Sequence, residues 1–170
     1  TRRVAATLND RITNRGGSRA TRTRELVQRD RTALKLVIPG VVGMHSYGHQ
    51  ANGASWSQII AMRKNIKNST QYSGTQTCNT TVIALLFGPT ADPAIKIPLE
   101  QVDSWYTAWI TLDPQSRRET RVTWRIALSS LLAKGKLTHS KGPVEATIAA
   151  LVRIGWKPAF PDTWQVDSDT

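Results

Sequence analysis

The segment from Leu36 to Lys67 constrains the fold more than any other part of the chain. It begins with an apolar run, passes through Tyr47-Gly48, and ends in a basic stretch that follows a helix-start signal. An apolar run needs burial, and a glycine lets the backbone turn where a side chain would clash. An amphipathic helix then presents its charges to solvent. The order predicts a buried element, a joint at Tyr47-Gly48, and a helix with a cationic outer face.

The charge balance indicates a polyanionic partner. The 170-residue chain has 23 Lys and Arg against 12 Asp and Glu, a formal net charge of +11 and an isoelectric point near 10.5. This excess favours nucleic acid or an anionic membrane over an acidic protein, and nucleic acid is the commoner explanation. Residues 1–35 contain ten bases and three acids, so they contribute +7. We expect a basic arm or basic helices there.

Length and composition predict a single domain, and the helical spacings and cap signals described below predict a mostly α-helical bundle of about five to six helices. A chain of 170 residues with 39% hydrophobic content is long enough for one core. We expect a basic arm or helices over 1–35, a helical domain over 36–157, and a Pro/Trp-rich C-terminal tail over 158–170. The chain begins at Thr1 rather than Met, as expected of a processed product or a piece of a longer protein.

The sequence also predicts a compartment. No apolar run approaches the roughly 20 residues that span a bilayer, and the N-terminus lacks the apolar segment of a secretory signal. Cys78 is the single cysteine, which excludes an intrachain disulfide and fits a reducing environment. We therefore expect a soluble, intracellular protein with no membrane partner.

Residues 1–35 contain two basic segments. Val4, Leu8 and Ile12 are spaced by four residues and predict a short helix that Gly16-Gly17 ends. The stretch 21–36 has few apolar residues. It predicts either a weak amphipathic helix or a disordered arm that orders on a polyanion.

Ser55-Trp56-Ser57-Gln58 matches a capping box and predicts a helix start. The helix should face its apolar residues inward and its basic residues toward solvent. The inward set is Trp56, Ile59, Ile60 and Ile66, and the outward set is Arg63, Lys64 and Lys67. Either an ordinary solvated face or a phosphate-binding face explains the outward set.

The middle of the chain contains two further apolar elements. Cys78 to Phe87 ends at Gly88-Pro89 and predicts a short buried helix or a buried strand. From Pro98 onward a helix is expected, because apolar residues recur at i, i+3, i+4 and i+7 and so predict a core face. These residues are Val102, Trp105, Tyr106 and Trp109.

Asp113-Pro114 predicts an N-cap followed by proline in the first turn, and Lys134-Gly135 predicts the end of that helix. Arginines recur every four residues along it, at Arg117, Arg121 and Arg125. Like charges at this spacing repel. Bound phosphates would explain this series of arginines. Nearby acids would also explain it, and the acids available are Glu119, Glu100 and Asp103.

A last helix is expected from Gly142-Pro143 to Gly155. The proline-broken tail after it cannot form a central strand, because proline lacks an amide donor. We expect its aromatic residues to pack on the helices rather than to stack on bases. They are Trp156, Phe160 and Trp164.

No pattern predicts a catalytic, metal or cofactor site. His45 and His49 have a spacing that zinc ligands use, but Cys78 is the only other soft ligand, so polar residues at the joint are expected instead. A lone cysteine before an apolar run is usually core. A hydrolase that uses Cys78 would require an exposed, thiolate-like residue. The chain also lacks an Asp-Asp pair and a phosphate-binding glycine loop.

Several short blocks carry a resemblance to a known family. They are Tyr47-Gly48-His49-Gln50, Gly53, Ser57-Gln58 and Arg63-Lys64, followed by Thr77–Leu85, Phe87-Gly88-Pro89, Asp92-Pro93, Gly142-Pro143 and Ile154–Pro158. In this order they resemble the region just downstream of the polymerase core in non-LTR (LINE-type) retrotransposon reverse transcriptases of divergent protist type. The resemblance covers the chain from Leu34 to its end.

The resemblance implies the thumb and connector of such an enzyme, whose helices hold a template-primer duplex by its backbone. The family's polymerase signature, an aromatic residue, a small residue and two aspartates, does not occur in this chain. We therefore expect a non-catalytic module that acts alongside the remainder of a polyprotein.

The sequence therefore predicts sequence-nonspecific binding of RNA, DNA or a hybrid through contacts to phosphates. Tyr47 and Gly48 are assigned to the joint. The predicted contacts are Arg22, Arg24, Arg29 and Arg31 in the N-terminal segment, Arg63, Lys64 and Lys67 on the capped helix, and Arg117, Arg121 and Arg125 on the later helix. The alternative is a structural RNA-binding subunit of a ribonucleoprotein such as an organellar ribosome.

Overall fold

The computed structural model describes residues 2–72, 74, 76–134 and 142–166, and it is mostly α-helical, as predicted. In this part of the chain six helices have nine or more residues, which agrees with the expected five to six. They are α1 (Arg2–Arg29), α4 (Trp56–Asn68), α5 (Asn79–Phe87), α6 (Pro93–Thr111), α7 (Pro114–Lys134) and α8 (Pro143–Arg153). The shorter elements include the single turns α2 (Gly43–Ser46) and α3 (His49–Asn52), the 3₁₀ helix Pro89–Ala91 and the two-residue strands β1 (Trp156–Lys157) and β2 (Gln165–Val166).

The contacts divide the chain into two compact units. Unit 1 contains Thr1–Tyr47 and Trp56–Lys96, and unit 2 contains Gly48–Ser55 and Ile97–Thr170. One boundary separates Tyr47 from Gly48, and another falls inside α6. These bounds differ from the expected division at residues 35 and 157, because the N-terminal segment belongs to the core of unit 1.

Helix α1 continues through Gly16-Gly17, so the prediction that these glycines end it is wrong. A mid-helix glycine costs only about 1 kcal/mol, and packing outweighs that cost. The buried face of α1 includes Ala20, Thr23 and Val27. Gly16 lies against the buried imidazole of His45, where a Cβ would overlap the ring. Within the described side chains, α1 is therefore a packed helix and not a disordered arm.

The apolar run after α1 is helical and is buried along one side, since Val37, Val41 and Val42 are buried whereas Leu36 and Ile38 are exposed. Asp30 accepts a hydrogen bond from the Thr32 amide at 2.9 Å and begins a 3₁₀ helix, Arg31–Leu36. A π-helical segment, Val37–Val42, follows it. The core of unit 1 is built from this segment and its neighbours, and its buried members are Ala20, Val37, Val41, Val42, Ile66, Ile83 and Ala91.

Helix α4 begins at Trp56, as the capping box predicts. Its buried face contains Ile59, Met62 and Ile66. Trp56 and Ile60 were expected to face inward, but both are about half exposed. These two residues lie outside the arc of roughly 100° that the i, i+3, i+7 spacing buries.

Helix α5 resolves the choice between helix and strand for the segment that follows Cys78. Val82 and Ile83 are buried, whereas Leu85 is exposed, so only one face of α5 enters the core. Gly88 ends the helix with a φ of 83°, a conformation that favours glycine.

Helix α6 begins at Pro93 rather than at Pro98, so the predicted start is five residues late. Asp92 supplies the cap, because its carboxylate accepts a hydrogen bond from the Ala94 amide at 2.9 Å. Pro98 lies inside the helix. Trp105 and Trp109 are buried, but Tyr106 is exposed and does not join the expected core face.

Unit 2 has a tryptophan-rich core. Its buried members are Trp105, Trp109, Trp124, Ala127, Leu131, Ile148 and Leu151. The rings of Trp105 and Trp124 lie 5.1 Å apart between centroids. Their indole N–H groups each donate a 2.9 Å hydrogen bond to the tail, Trp105 to the Pro161 carbonyl and Trp124 to the Pro158 carbonyl. The helices therefore fix the tail through its proline carbonyls.

The start of α7 and both ends of α8 follow the sequence signals. The Asp113 carboxylate accepts from the amides of Gln115 and Ser116 at 2.9 and 3.0 Å, which caps α7 as predicted. The expected stop at Gly135 lies outside the described residues. After α8, Gly155 turns with a φ of 81°. The tail then forms the antiparallel pair β1 and β2, with Trp156 opposite Val166.

Trp156 and Trp164 pack against the core of unit 2, as expected for the tail aromatics, whereas Phe160 is half exposed.

Candidate nucleic-acid interface

The positive charge is concentrated in unit 1. Unit 1 contains 14 of the 23 basic residues and four of the 12 acids, whereas unit 2 contains nine bases and eight acids. The formal net charges are therefore +10 for unit 1 and +1 for unit 2. A field of one sign attracts a polyanion and opposes association with other cationic surfaces. Unit 1 therefore contains nearly all of the excess positive charge of the chain.

Helix α1 presents a row of arginines to solvent. Arg15, Arg22 and Arg29 are all exposed, and we call them the α1 row. A seven-residue step rotates an α-helix by about 20° short of two full turns and advances it by about 10 Å, so the three residues share one face. This face lies away from Ala20 and Val27 in the core. Among the described residues, no acid forms an ion pair with the row.

Arg22 and Arg29 of the row were predicted, and Arg15 was missed. The seven-residue spacing is visible in the sequence, but a helix that ended at Gly16-Gly17 would have separated Arg15 from the other two. Arg24 is exposed as well. It lies about 160° from Arg22 around the helix, so it does not belong to the row.

Arg31 follows α1 and remains exposed. Its Nε donates a 3.3 Å hydrogen bond to the Gln71 side-chain oxygen. The neighbouring carboxyl, Asp30, has a lowered pKa because the Thr32 hydroxyl and amide donate hydrogen bonds to it. Arg31 thus lies at the surface. The carboxylate of the preceding Asp30 is already engaged as the N-cap of the 3₁₀ helix.

Arg63 on α4 has a structural partner, contrary to its expected solvent position. Its Nε and Nη2 each donate a 2.7 Å hydrogen bond to the Asp92 carboxylate, a bidentate arrangement. The Asp92 side chain is buried, and this hydrogen bonding raises the pKa of Arg63. The guanidinium also lies 5.8 Å from the centre of the Trp56 ring. These contacts occupy the group that was predicted to bind phosphate.

Lys67 is buried, so the prediction that it faces solvent is wrong. Its Nζ donates a 2.8 Å hydrogen bond to the Thr77 carbonyl and so holds the loop that follows α4. Lys64 is exposed. Of the three cations predicted on α4, Lys64 is therefore the one that remains on the surface.

The predicted arginines of α7 do not share one face. Each four-residue step advances the position by about 40° around the helix, so the series moves from the core side to the solvent side. Arg117 Nη2 donates to the Ile110 carbonyl at 2.9 Å. Arg121 Nη2 donates to the Asp162 carboxylate at 3.0 Å. Both guanidinium groups also lie 5.7 Å from the Trp109 ring centre.

The acid beside the α7 series is Asp162 in the tail, instead of the expected Glu119, Glu100 or Asp103, and it pairs with Arg121 rather than with the whole series. Arg125, the last of the three, is exposed. Arg118 is also exposed and lies on the same side of α7 as Arg125, since the two are seven residues apart.

The backbone turns at the predicted joint. Gly48 has a φ of 78°, and the Tyr47 side chain is 76% exposed. The histidines on either side are buried and lie in different units. His49 Nδ1 lies 2.9 Å from the Gly53 carbonyl oxygen, and His45 Nε2 lies 3.4 Å from Asn65 Nδ2. Each histidine thus has a packing environment of its own.

Cys78 is exposed, so its expected place in the core is wrong. It precedes α5, and hydrogen bonds from the Thr81 amide and hydroxyl, with those from Thr80, lower the pKa of its thiol to about 7. The groups that lower this pKa are threonines and amides rather than a histidine. No group of three or more His, Cys, Asp or Glu that could hold a metal occurs among the described residues.

Comparison of the chain with protein-family models, curated proteins and solved structures finds no match. None of the helices in the described ranges has the length and apolar character needed to cross a membrane.

Proposed function

We propose that this chain is a sequence-nonspecific nucleic-acid-binding module that contacts phosphates through the α1 row. The observation that carries the proposal is the exposed face of Arg15, Arg22 and Arg29 on a unit of net charge +10. Side chains spaced by about 10 Å can each reach a different phosphate, because the phosphates of one duplex strand rise by only about 3.4 Å per step.

The composition of the exposed face favours nucleic acid over a membrane. A helix that lies in a lipid interface needs a broad apolar face for insertion. Along the described face of α1, Leu26 is the large apolar residue exposed beside the arginines. Contacts to phosphates need only the arginines, and they carry no sequence information by themselves.

The module is proposed to be non-catalytic and to hold a duplex in the way that the thumb and connector of a retroelement reverse transcriptase do. Arg24, Arg31 and Lys64 are further exposed cations of unit 1 that lie off the row and add to the positive charge of the unit. Arg63 and Lys67 contribute through stability, because their side chains hold Asp92 and the Thr77 carbonyl.

A structural RNA-binding subunit of a ribonucleoprotein is the second candidate. It is favoured by unit 2, which is nearly neutral and exposes large apolar side chains that a protein partner would cover.

The test is binding of the purified full chain to duplex DNA, structured RNA and an RNA–DNA hybrid across a salt series. We expect affinity for all three, little dependence on base sequence, and a steep loss of affinity between about 50 and 200 mM salt. Binding that does not respond to salt, or no binding at low salt, would contradict the proposal. A preference for the hybrid would favour the thumb-like role over the structural subunit.

A further inference from the structure

Two helices of unit 2 expose apolar rows that face away from its core. On α6, Leu99, Tyr106 and Ile110 are 52% to 54% exposed. At about 100° per residue they fall within an arc of about 40°, so they form one continuous row. On α7, the exposed fractions of Val122, Ile126 and Leu132 are 59% to 69%, and these residues spread over about 120° around the helix, so they form a broad exposed face on one side of it. Scattered exposed apolar residues are ordinary, but contiguous ones mark an interaction surface.

Charged residues of opposite sign lie within the two rows. Asp103 is exposed on α6 between Leu99 and Tyr106, and Arg118 and Arg125 are exposed on α7 on either side of Val122. Among the described residues, none of these three charges forms an ion pair. One row is therefore apolar and acidic, and the other is apolar and basic.

The two rows cannot complete each other within one molecule. Helices α6 and α7 of one chain pack through their buried faces, which contain Trp105, Trp109 and Trp124. The outer rows lie on the other sides of these helices. A partner for the α6 row would therefore come from another molecule, and the α7 row of a second copy is of comparable length and opposite charge.

We infer that unit 2 associates with a second copy of this chain by packing the α6 outer row, Leu99, Asp103, Tyr106 and Ile110, on the α7 outer row of the other copy. The α7 outer row consists of Arg118, Val122, Arg125, Ile126 and Leu132. The contact buries the apolar side chains and places Asp103 against an arginine.

Charge and size set the strength of this association. The repulsion between two copies of unit 2 is small, because each has a net charge of only +1. The α6 row is about 16 Å long and the α7 row about 21 Å, and a contact between two such rows buries less than about 1,200 Å², the size of weak and transient interfaces. The association should therefore depend on concentration, with monomers predominating in dilute solution.

The test is sedimentation of the full chain, freed of nucleic acid by nuclease treatment, over a range of concentrations. We expect the average mass to rise with concentration. Tyr106→Lys should weaken the association about tenfold or more, because it removes apolar area from the centre of the contact. Leu85→Lys is the matched control, since Leu85 is 80% exposed on α5 of unit 1 and should have no effect.

Charge reversal tests which surfaces meet. Asp103→Arg should weaken the association about fivefold, whereas Glu25→Arg, which makes the same change on α1, should not. A variant that combines Asp103→Arg with Arg118→Asp and Arg125→Asp should recover the association between copies. Circular dichroism confirms that each variant is folded.

A wild-type chain that stays monomeric at every concentration would overturn the inference. So would equal effects of Tyr106→Lys and Leu85→Lys, or a failure of the charge-reversed variant to recover. The test of self-association and the test of nucleic-acid binding can fail independently. No residue of the α1 row lies in the proposed contact between copies, and nucleic-acid binding is measured on the wild-type monomer at low concentration.

Discussion

The paired glycines of α1 give a sharp test of how unit 1 is packed. Gly16→Ala and Gly17→Ala make the same chemical change at adjacent positions of one helix. At Gly17 a new Cβ would meet Asn65 side-chain atoms at 3.7 and 3.8 Å, which is ordinary contact. At Gly16 it would lie 2.7 Å from His45 Nδ1 and would overlap the rest of the ring.

The two substitutions should therefore change the free energy of unfolding in opposite directions. Alanine in place of a helix-interior glycine stabilises by about 0.5–1 kcal/mol, and Gly17→Ala should gain this amount. Gly16→Ala makes the same gain but displaces a ring that is only 1% exposed. Overpacking a core costs about 1–3 kcal/mol, and the severe overlap here lies at the upper end, so the net loss should be about 2 kcal/mol.

Urea denaturation followed by far-ultraviolet circular dichroism measures both values. We expect the two variants to differ by about 3 kcal/mol, roughly a hundredfold in the unfolding equilibrium. A Gly16→Ala variant at least as stable as the wild type would refute the packing of His45 on α1. A loss at Gly17 equal to that at Gly16 would mean that α1 does not continue through the glycines.

Two further predictions concern Asp92 and Cys78. Asp92→Ala should destabilise the chain by about 3 kcal/mol, because it removes the cap of α6 and leaves the partly buried Arg63 without its carboxylate. Asp113→Ala removes only an exposed cap and should cost clearly less. Equal losses by urea denaturation would contradict the role of the Arg63–Asp92 pair. The alkylation rate of Cys78 should rise with a midpoint near pH 7 in the folded chain and near pH 8.5 in urea, because the lowered pKa makes the thiolate available above about pH 7. A folded-state midpoint near 8.5 would show that the threonine hydrogen bonds do not favour the thiolate.

Local signals predicted the helical class and several helix ends. Asp113-Pro114 and the Ser55 capping box mark helix starts because side-chain caps and proline act within one turn. Burial was predicted less well. Ile60 and Tyr106 fit a helical repeat, yet each lies at the edge of the apolar arc of its helix. Whether a residue at that edge is buried depends on neighbours that are far away in the sequence.

The candidate site shows the same division between local and distant information. The seven-residue spacing of Arg15, Arg22 and Arg29 is a local feature, and it identifies a shared face once α1 is known to continue. The roles of Arg63 and Arg121 depend on Asp92 and Asp162, which lie 29 and 41 residues away. No periodicity within a helix predicts such partners. A cationic sequence pattern therefore overstates the number of side chains that are free to bind phosphate.

The most direct test of the proposed function compares two variants that remove the same charge. One carries Arg15→Gln, Arg22→Gln and Arg29→Gln on the α1 row, and the other carries Arg24→Gln, Lys64→Gln and Arg125→Gln at exposed positions off the row. Binding to duplex DNA is measured for both and for the wild type across a salt series.

If the row binds phosphates, its removal should reduce the slope of log K against log salt concentration by about 2.7, or about 0.9 for each arginine. Between about 50 and 200 mM salt, the wild type should then lose about 40-fold more affinity than the row variant, and the control variant should retain a slope close to that of the wild type. Equal changes in slope for the two variants would contradict the account, because they would mean that binding follows net charge and not the α1 row.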